Sequence, residues 1–164
     1  MPSSIHHPPS SLILSVANRQ RTKKINARRL KLIVNALLAE LEISDANLGI
    51  NLVGAKKMAQ VNRQFLQHAG STDVITFDHT TPNCQLPTPS SQLHGELFIC
   101  VDEAVSQAKE FGSSWQSEVV RYVVHGVLHL LGHDDQKPEL RRKMKRAENR
   151  LVQRLADRFA LAQL

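Results

Sequence analysis

Val119-Val-Arg-Tyr-Val-Val-His125-Gly-Val-Leu-His129-Leu-Leu-Gly132-His133-Asp134-Asp135 is the stretch whose reading decides the fold. From Val119 to Leu131 it is apolar nearly all round, which predicts a central helix buried on every side. Two imidazoles in such surroundings are costly unless something binds them. His125 and His129 stand four residues apart, so they share one helix face about one turn from each other. Neutral imidazoles at that spacing can address a single metal ion. Gly132 offers a stop, because glycine adopts the left-handed conformation that ends helices. The turn it permits brings Asp134 and Asp135 back towards the rings. Asp135 lies ten residues after His125, the offset of the third ligand in the pattern H-E-x-x-H-x-x-G-x-x-H. Gly126 occupies the place of that pattern's general-base glutamate. A zinc site is therefore compatible with the stretch, whereas peptide hydrolysis by the usual route lacks its base.

Downstream, Pro138 suits the first position of a final helix, with Leu140, Met144, Ala147, Leu151, Leu155 and Phe159 as its inner stripe. Upstream, Ser113 with Gln116 reads as a capping box for the central helix. Before it, Asp102 is expected to cap a helix running to Glu110 and closed by Gly112. Leu93–Val101 reads as a strand, with the run Leu97-Phe98-Ile99-Cys100-Val101 buried on both faces. Residues 78–92, rich in Pro, Ser and Thr, form a long loop expected to shape the mouth of a cleft. Thr72–Phe77 is a strand, Lys56–Leu66 a helix with Met58, Val61, Phe65 and Leu66 inward, and Ala46–Val53 a strand with Leu48, Ile50 and Leu52 on one face. Asn26 caps an amphipathic helix striped by Leu30, Ile33, Val34, Leu37, Leu38 and Leu41. Leu12–Ala17 is the first strand, and residues 1–11 read as a disordered tail.

The 164 residues, 41% hydrophobic, suffice for one domain, over 12–164, with a substantial core. No apolar run approaches the roughly 20 residues of a membrane span, and the start does not resemble a signal peptide. Cys84 and Cys100 sit in unrelated contexts, as unpaired thiols of a reducing cytosol do. The net charge of +6 is unevenly spread. Residues 1–31 carry seven Lys or Arg and no acid, and residues 137–158 carry nine basics against three acids, which leaves −7 for residues 32–136. Cationic flanks around a metal motif suit an anionic polymer lying across the site. With only 4% aromatics, Trp115 and Tyr122 are assigned to the core rather than to base stacking.

His125-Gly-x-Leu-His129-Leu-x-Gly-x-Asp134 resembles the signature of the bacterial YbeY family. Asn62 with Phe65, Thr72-Asp73-Val74-x-x-Phe77, Gly95-Glu96-Leu97-x-Ile99 with Ala104, and Met144 with Glu148 extend the resemblance over residues 12–155. It implies an α+β fold in which a mixed four-stranded sheet and its helices pack around a buried metal-binding helix. It also implies a cytoplasmic, zinc-dependent endoribonuclease, with one ion per chain. That enzyme would cut single-stranded RNA in maturation of the 3′ end of small-subunit (16S) rRNA and in ribosome quality control, with the ribosome or ribosomal proteins as partners. The metal ligands expected are His125, His129 and Asp135, with His133 the rival for third place, since the family usually has His where this chain has Asp135. His133 and Asp134 are the candidates for catalytic proton transfer or for orienting a ligand. Leu66 stands where the family usually carries an arginine. The alternatives are a non-catalytic, metal-stabilised ribosome-assembly or RNA-binding factor, and a zinc hydrolase of peptides or small molecules, which Gly126 disfavours.

Overall fold

Residues 11–80 and 92–164 are described by a computed structural model. The tail expected over 1–11 lies, except for Ser11, outside the described residues, as do Cys84 and most of the expected loop at 78–92. The elements run β1 (Leu12–Asn18), α1 (Ala27–Glu40), β2 (Asp45–Val53), α2 (Ala55–Val61), a π turn (Asn62–Leu66), β3 (Val74–Asp78), β4 (Gln92–Cys100), α3 (Val101–Phe111), α4 (Trp115–Leu130), α5 (Pro138–Arg158) and a short 3-10 turn (Leu161–Gln163). The sheet order is β1-β2-β4-β3. β1, β2 and β4 are parallel, with Leu14 opposite Leu48 and Leu48 opposite Gly95, and β3 runs antiparallel to β4 with Ile75 opposite Phe98. It is the mixed four-stranded sheet of a single α+β domain. No helix among the described residues is long and apolar enough to cross a membrane.

Strand alternation sorts the core into two parts. Leu48, Ile50 and Leu52 of β2 and Leu93, Leu97 and Ile99 of β4 face the main core with α1, α4 and α5. Val53 and Cys100 face the other way, where Met58 and Val61 of α2 close a smaller cluster with Phe77 and Phe98. β1 is an edge strand: only Leu14 and Val16 reach the core, while Leu12 is exposed. α4 lies against β3, β4, α3 and α5. Its approach to the sheet is close at Gly126, where a Cβ would stand 2.7 Å from the Leu97 side chain. A glutamate there would have to shift the buried Leu97 side chain, at a packing cost.

Several local expectations are corrected. The cap of α4 is Ser114, whose side chain accepts from the Ser117 N–H, while the Ser113 hydroxyl donates to Glu118 instead. Asp102 lies inside the first turn of α3 rather than at its cap, and its carboxylate accepts from the Thr22 hydroxyl and the Ala55 N–H. The helix expected over 56–66 breaks at Asn62 into the π turn, closed by Gln67 at φ +55°. Widening the turn rotates Phe65 and Leu66 off the inward face, so both are exposed. Leu140 is also partly exposed, because it sits in the first turn of α5 before that helix meets the core.

Candidate metal centre

Gly132 closes α4 as its position predicts, at φ +90°, with its N–H donating to His129 O and the His133 N–H to Leu128 O. This doubles the chain back over the last turn. The His129 Nδ1–H consequently donates to the carbonyl of His133 at 3.0 Å. The His125 Nδ1–H donates to Glu148 Oε2 at 2.9 Å, reaching across from α5. A ring whose Nδ1 carries the proton presents a lone pair at Nε2. The two Nε2 atoms face each other at 3.1 Å. Two lone pairs so close repel, and only positive charge between them makes the contact favourable.

Asp135 Oδ2 completes a triangle, 3.6 Å from His129 Nε2 and 3.9 Å from His125 Nε2. A shared proton would serve two of these atoms, whereas a metal ion serves all three. Ligand atoms about 2.0–2.2 Å from one tetrahedral ion are roughly 3.3–3.5 Å apart. The observed triangle is close to that, and all three donors lie within 4.8 Å of one another. The residues present fit a metal ion. A donor set of two nitrogens and one carboxylate oxygen is that of open, water-accessible zinc sites.

Glu148 is the residue whose importance spacing alone does not reveal. Its side chain is 4% exposed, yet neither oxygen is idle: Oε1 accepts from Arg121 Nη1 at 2.7 Å and from Lys145 Nζ at 2.8 Å, and Oε2 from His125. Burial alone would raise its pKa; the hydrogen bonds from His125, Lys145 and Arg121 overcome it and hold the carboxyl at about 2. In return, the Glu148 hydrogen bond raises the pKa of His125 above its ordinary 6.5, against the opposing effect of burial. Carboxylate support of this kind also makes an imidazole a stronger ligand. In sequence Glu148 reads as one more acid on a charged helix, and only its match to a family position singles it out.

Among the described residues, two clefts meet at the triangle. One, of about 230 Å³, is walled by His125 and Asp135 with Asp73, Gln107, Tyr122 and Met144 and by the cations Arg121, Arg141 and Lys145. The other, of about 330 Å³, has His125, His129 and Asp135 on one side and Leu66, Val74, Ile75 and Thr76 on the other, again with Asp73. Asp73 thus borders both. Its Oδ1 accepts from the Val74 N–H at 2.8 Å and the Thr72 hydroxyl at 3.1 Å. His133 contributes its carbonyl; its half-buried ring has a lowered pKa, through burial first and then the nearby positive Lys143. Asp134 turns into the loop, where Oδ1 accepts from the Gln136 N–H at 2.9 Å. Tyr122 is buried in the core, and Trp115 packs against it with Lys23 above its ring.

A mixed sheet carrying a helix with paired histidines, closed by a carboxylate from the following turn, defines an α+β protein with a candidate His-His-Asp metal centre. The particular family follows from comparison. The sequence profile described as Endoribonuclease YbeY matches residues 15–156, and the chain belongs to that family. Among its relatives, the Endoribonuclease YbeY of Myxococcus xanthus is 38% identical over 128 residues, which are 77% of this chain and 42% of that protein. The Endoribonuclease YbeY of Bacteroides thetaiotaomicron is 42% identical over 97 residues, 59% of this chain and 65% of that one. The chain therefore spans less than two thirds of either relative. The solution structure of TM1509 from Thermotoga maritima shares the fold, with a TM-score of 0.61 at 22% identity over 88% of this chain and 89% of the other.

Proposed function

We propose that this protein is a zinc-dependent endoribonuclease that hydrolyses phosphodiester bonds of single-stranded RNA. Its setting is maturation of the 3′ end of 16S rRNA and ribosome quality control, in the cytoplasm and in contact with the ribosome or its proteins. The observation that carries the chemistry is the pair of Nε2 lone pairs at 3.1 Å, flanked by Asp135, where two clefts meet. The rRNA setting rests on family membership.

His125, His129 and Asp135 would hold one zinc ion per chain. A divalent ion there acidifies water and offsets negative charge growing on a phosphate. Glu148 and the His133 carbonyl fix both rings with Nε2 forward. Asp73 Oδ2, without a hydrogen-bond partner among the described residues, is the oxygen offered to a water or hydroxyl entering either cleft. Asp134 shapes the turn that delivers Asp135. Gly126 supplies no glutamate for peptide hydrolysis, and a side chain there would have to push Leu97 aside.

Elemental analysis of wild type, His129→Ala and Asp135→Ala, paired with cleavage of a single-stranded RNA, tests the reading. One zinc per chain, lost together with cleavage in both variants, is the expected result. Full zinc without any cleavage would favour the non-catalytic assembly factor. Zinc retained in Asp135→Ala would displace that residue as a ligand in favour of His133.

A further inference from the structure

The three cations bordering the 230 Å³ cleft are not equivalent. Arg121 and Lys145 are both committed to the buried carboxylate of Glu148, at 2.7 and 2.8 Å. Arg121 also bonds Asn149 Oδ1 at 2.7 Å. Arg141 has no carboxylate partner among the described residues. Its Nε donates to the carbonyl of Asp135 at 2.9 Å, a main-chain tether that holds the guanidinium beside the metal donors. With Nε engaged, the edge formed by the two terminal nitrogens remains, and that edge matches two oxygens of a phosphate.

The neighbouring surface continues the same charge. A cleft of about 570 Å³ is bordered by Arg142, Lys145 and Arg146, with Glu139 at its side, and shares Lys145 with the first. Across the triangle, no Lys or Arg lines the second cleft among the described residues: its far wall is Leu66, Val74, Ile75 and Thr76, and its acids are Asp73 and Asp135. Among the described residues, a polyanion crossing the centre thus meets Lys and Arg side chains on the α5 side.

We propose that Arg141 binds the backbone phosphate adjoining the metal donors, and that the bound strand leaves along the first turns of α5 over Arg142 and Arg146. The inference rests on the RNA reading above and adds to it the residue and the direction. Arg141 is a substrate-binding residue, fixed by its bond to the Asp135 carbonyl.

The test is fluorescence anisotropy of zinc-loaded protein with a labelled, single-stranded 2′-O-methyl oligoribonucleotide, checked intact afterwards by gel. Zinc content and thermal midpoint are measured on each variant. Arg141→Gln is expected to weaken binding roughly tenfold and to flatten the plot of log affinity against log salt by about 0.7, one phosphate contact on a single strand. Arg141→Lys should regain that slope while binding less tightly than wild type, because a point charge replaces the fork. Arg142→Gln with Arg146→Gln should flatten the slope by about 1.4. Arg154→Gln, whose partner is Glu40 of α1, should change neither quantity. An Arg141→Gln protein with full zinc and wild-type affinity and slope overturns the proposal and leaves the nuclease reading standing. A wild type that does not bind the oligonucleotide overturns both. Should Arg141→Gln lose zinc, Arg141→Lys decides: a slope that stays flat with zinc present refutes the phosphate contact.

Discussion

The two histidines of the centre are held by opposite means. His125 is held by charge, through a buried carboxylate that also binds Arg121 and Lys145. His129 is held by shape, through a main-chain carbonyl that is in place only because Gly132 turns the chain. Each fixes Nδ1 as the donor and sends Nε2 forward, so the geometric result is the same. The energetic consequences differ. A carboxylate raises the basicity of its ring and titrates with it, whereas a carbonyl has no charge to lose. One half of the site therefore depends on the charge at Glu148, and the other on backbone conformation.

The largest effect should come from the charged half. Glu148→Gln removes a buried negative charge shared by three donors, and breaking a buried ion pair typically costs 3–5 kcal/mol. Here the orphaned cations are partly exposed and can be hydrated, so about 2–3 kcal/mol is expected from urea unfolding. Zinc affinity should fall about 10–100-fold with the loss of carboxylate support to His125. An equally stable Glu148→Gln protein with unchanged zinc affinity would mean that the two histidines are held alike. Acid offers the same test without mutation. The Glu148 pKa is lowered from 4.5 to about 2 in the folded protein, so its contribution, on the order of 3 kcal/mol, is present above pH 4.5 and is lost as pH falls towards 2.

A second, smaller signature comes from His125. Its raised pKa means that protonation stabilises the metal-free protein below pH 6.5, and that this contribution fades as pH rises through the shifted value. Zinc binding runs the other way, since the ion must displace that proton. Affinity should drop about tenfold per pH unit below the His125 pKa, beginning above the ordinary 6.5. In Glu148→Gln the onset should move to lower pH. An onset that stays put would detach the titration from the carboxylate. The shape-held half predicts a different weakness. Gly132→Ala places a Cβ at φ +90°, where side chains are strained by about 1–2 kcal/mol. It should loosen zinc without altering the pH onset, as a competition titration at two pH values would reveal.

What was legible in the sequence divides along the same line. The grouping of His125, His129 and Asp135 could be read because each step is local: one helical turn, one glycine stop, one short return. The four strands and the buried central helix followed from periodicity, which main-core burial enforces. Glu148 could not be found that way, since it lies 23 residues from His125 and meets it only when α5 crosses α4. Arg141 could be read only as one basic among several on α5, and Asp73 only as part of a family motif; their places at the clefts depend on the same long-range packing. The misplaced caps at Ser113 and Asp102 are differences of one or two residues that local propensity does not resolve. The exposed Phe65 and Leu66 reflect a π turn, and no hydrophobic pattern announces one.

The smallest expected effect bears most directly on the shape-held half. His129 is oriented by the carbonyl of residue 133, an atom every amino acid possesses, so the imidazole of His133 should be dispensable for that task. His133→Ala is expected to change stability by no more than about 0.5 kcal/mol, with zinc affinity within roughly twofold of wild type, because the main-chain carbonyl that holds His129 is left as it was. The same variant is also the sharpest challenge to the choice of third ligand. Asp135 Oδ2 lies 3.6 Å from His129 Nε2, and removing a neighbouring ring does not disturb that approach. If zinc is nevertheless lost in His133→Ala while Asp135→Ala keeps it, the ring rather than the carboxylate closes the triangle. The turn after Gly132 would then have to present a side chain where it now presents a carbonyl, and the contrast between the two histidines would fail at its second member.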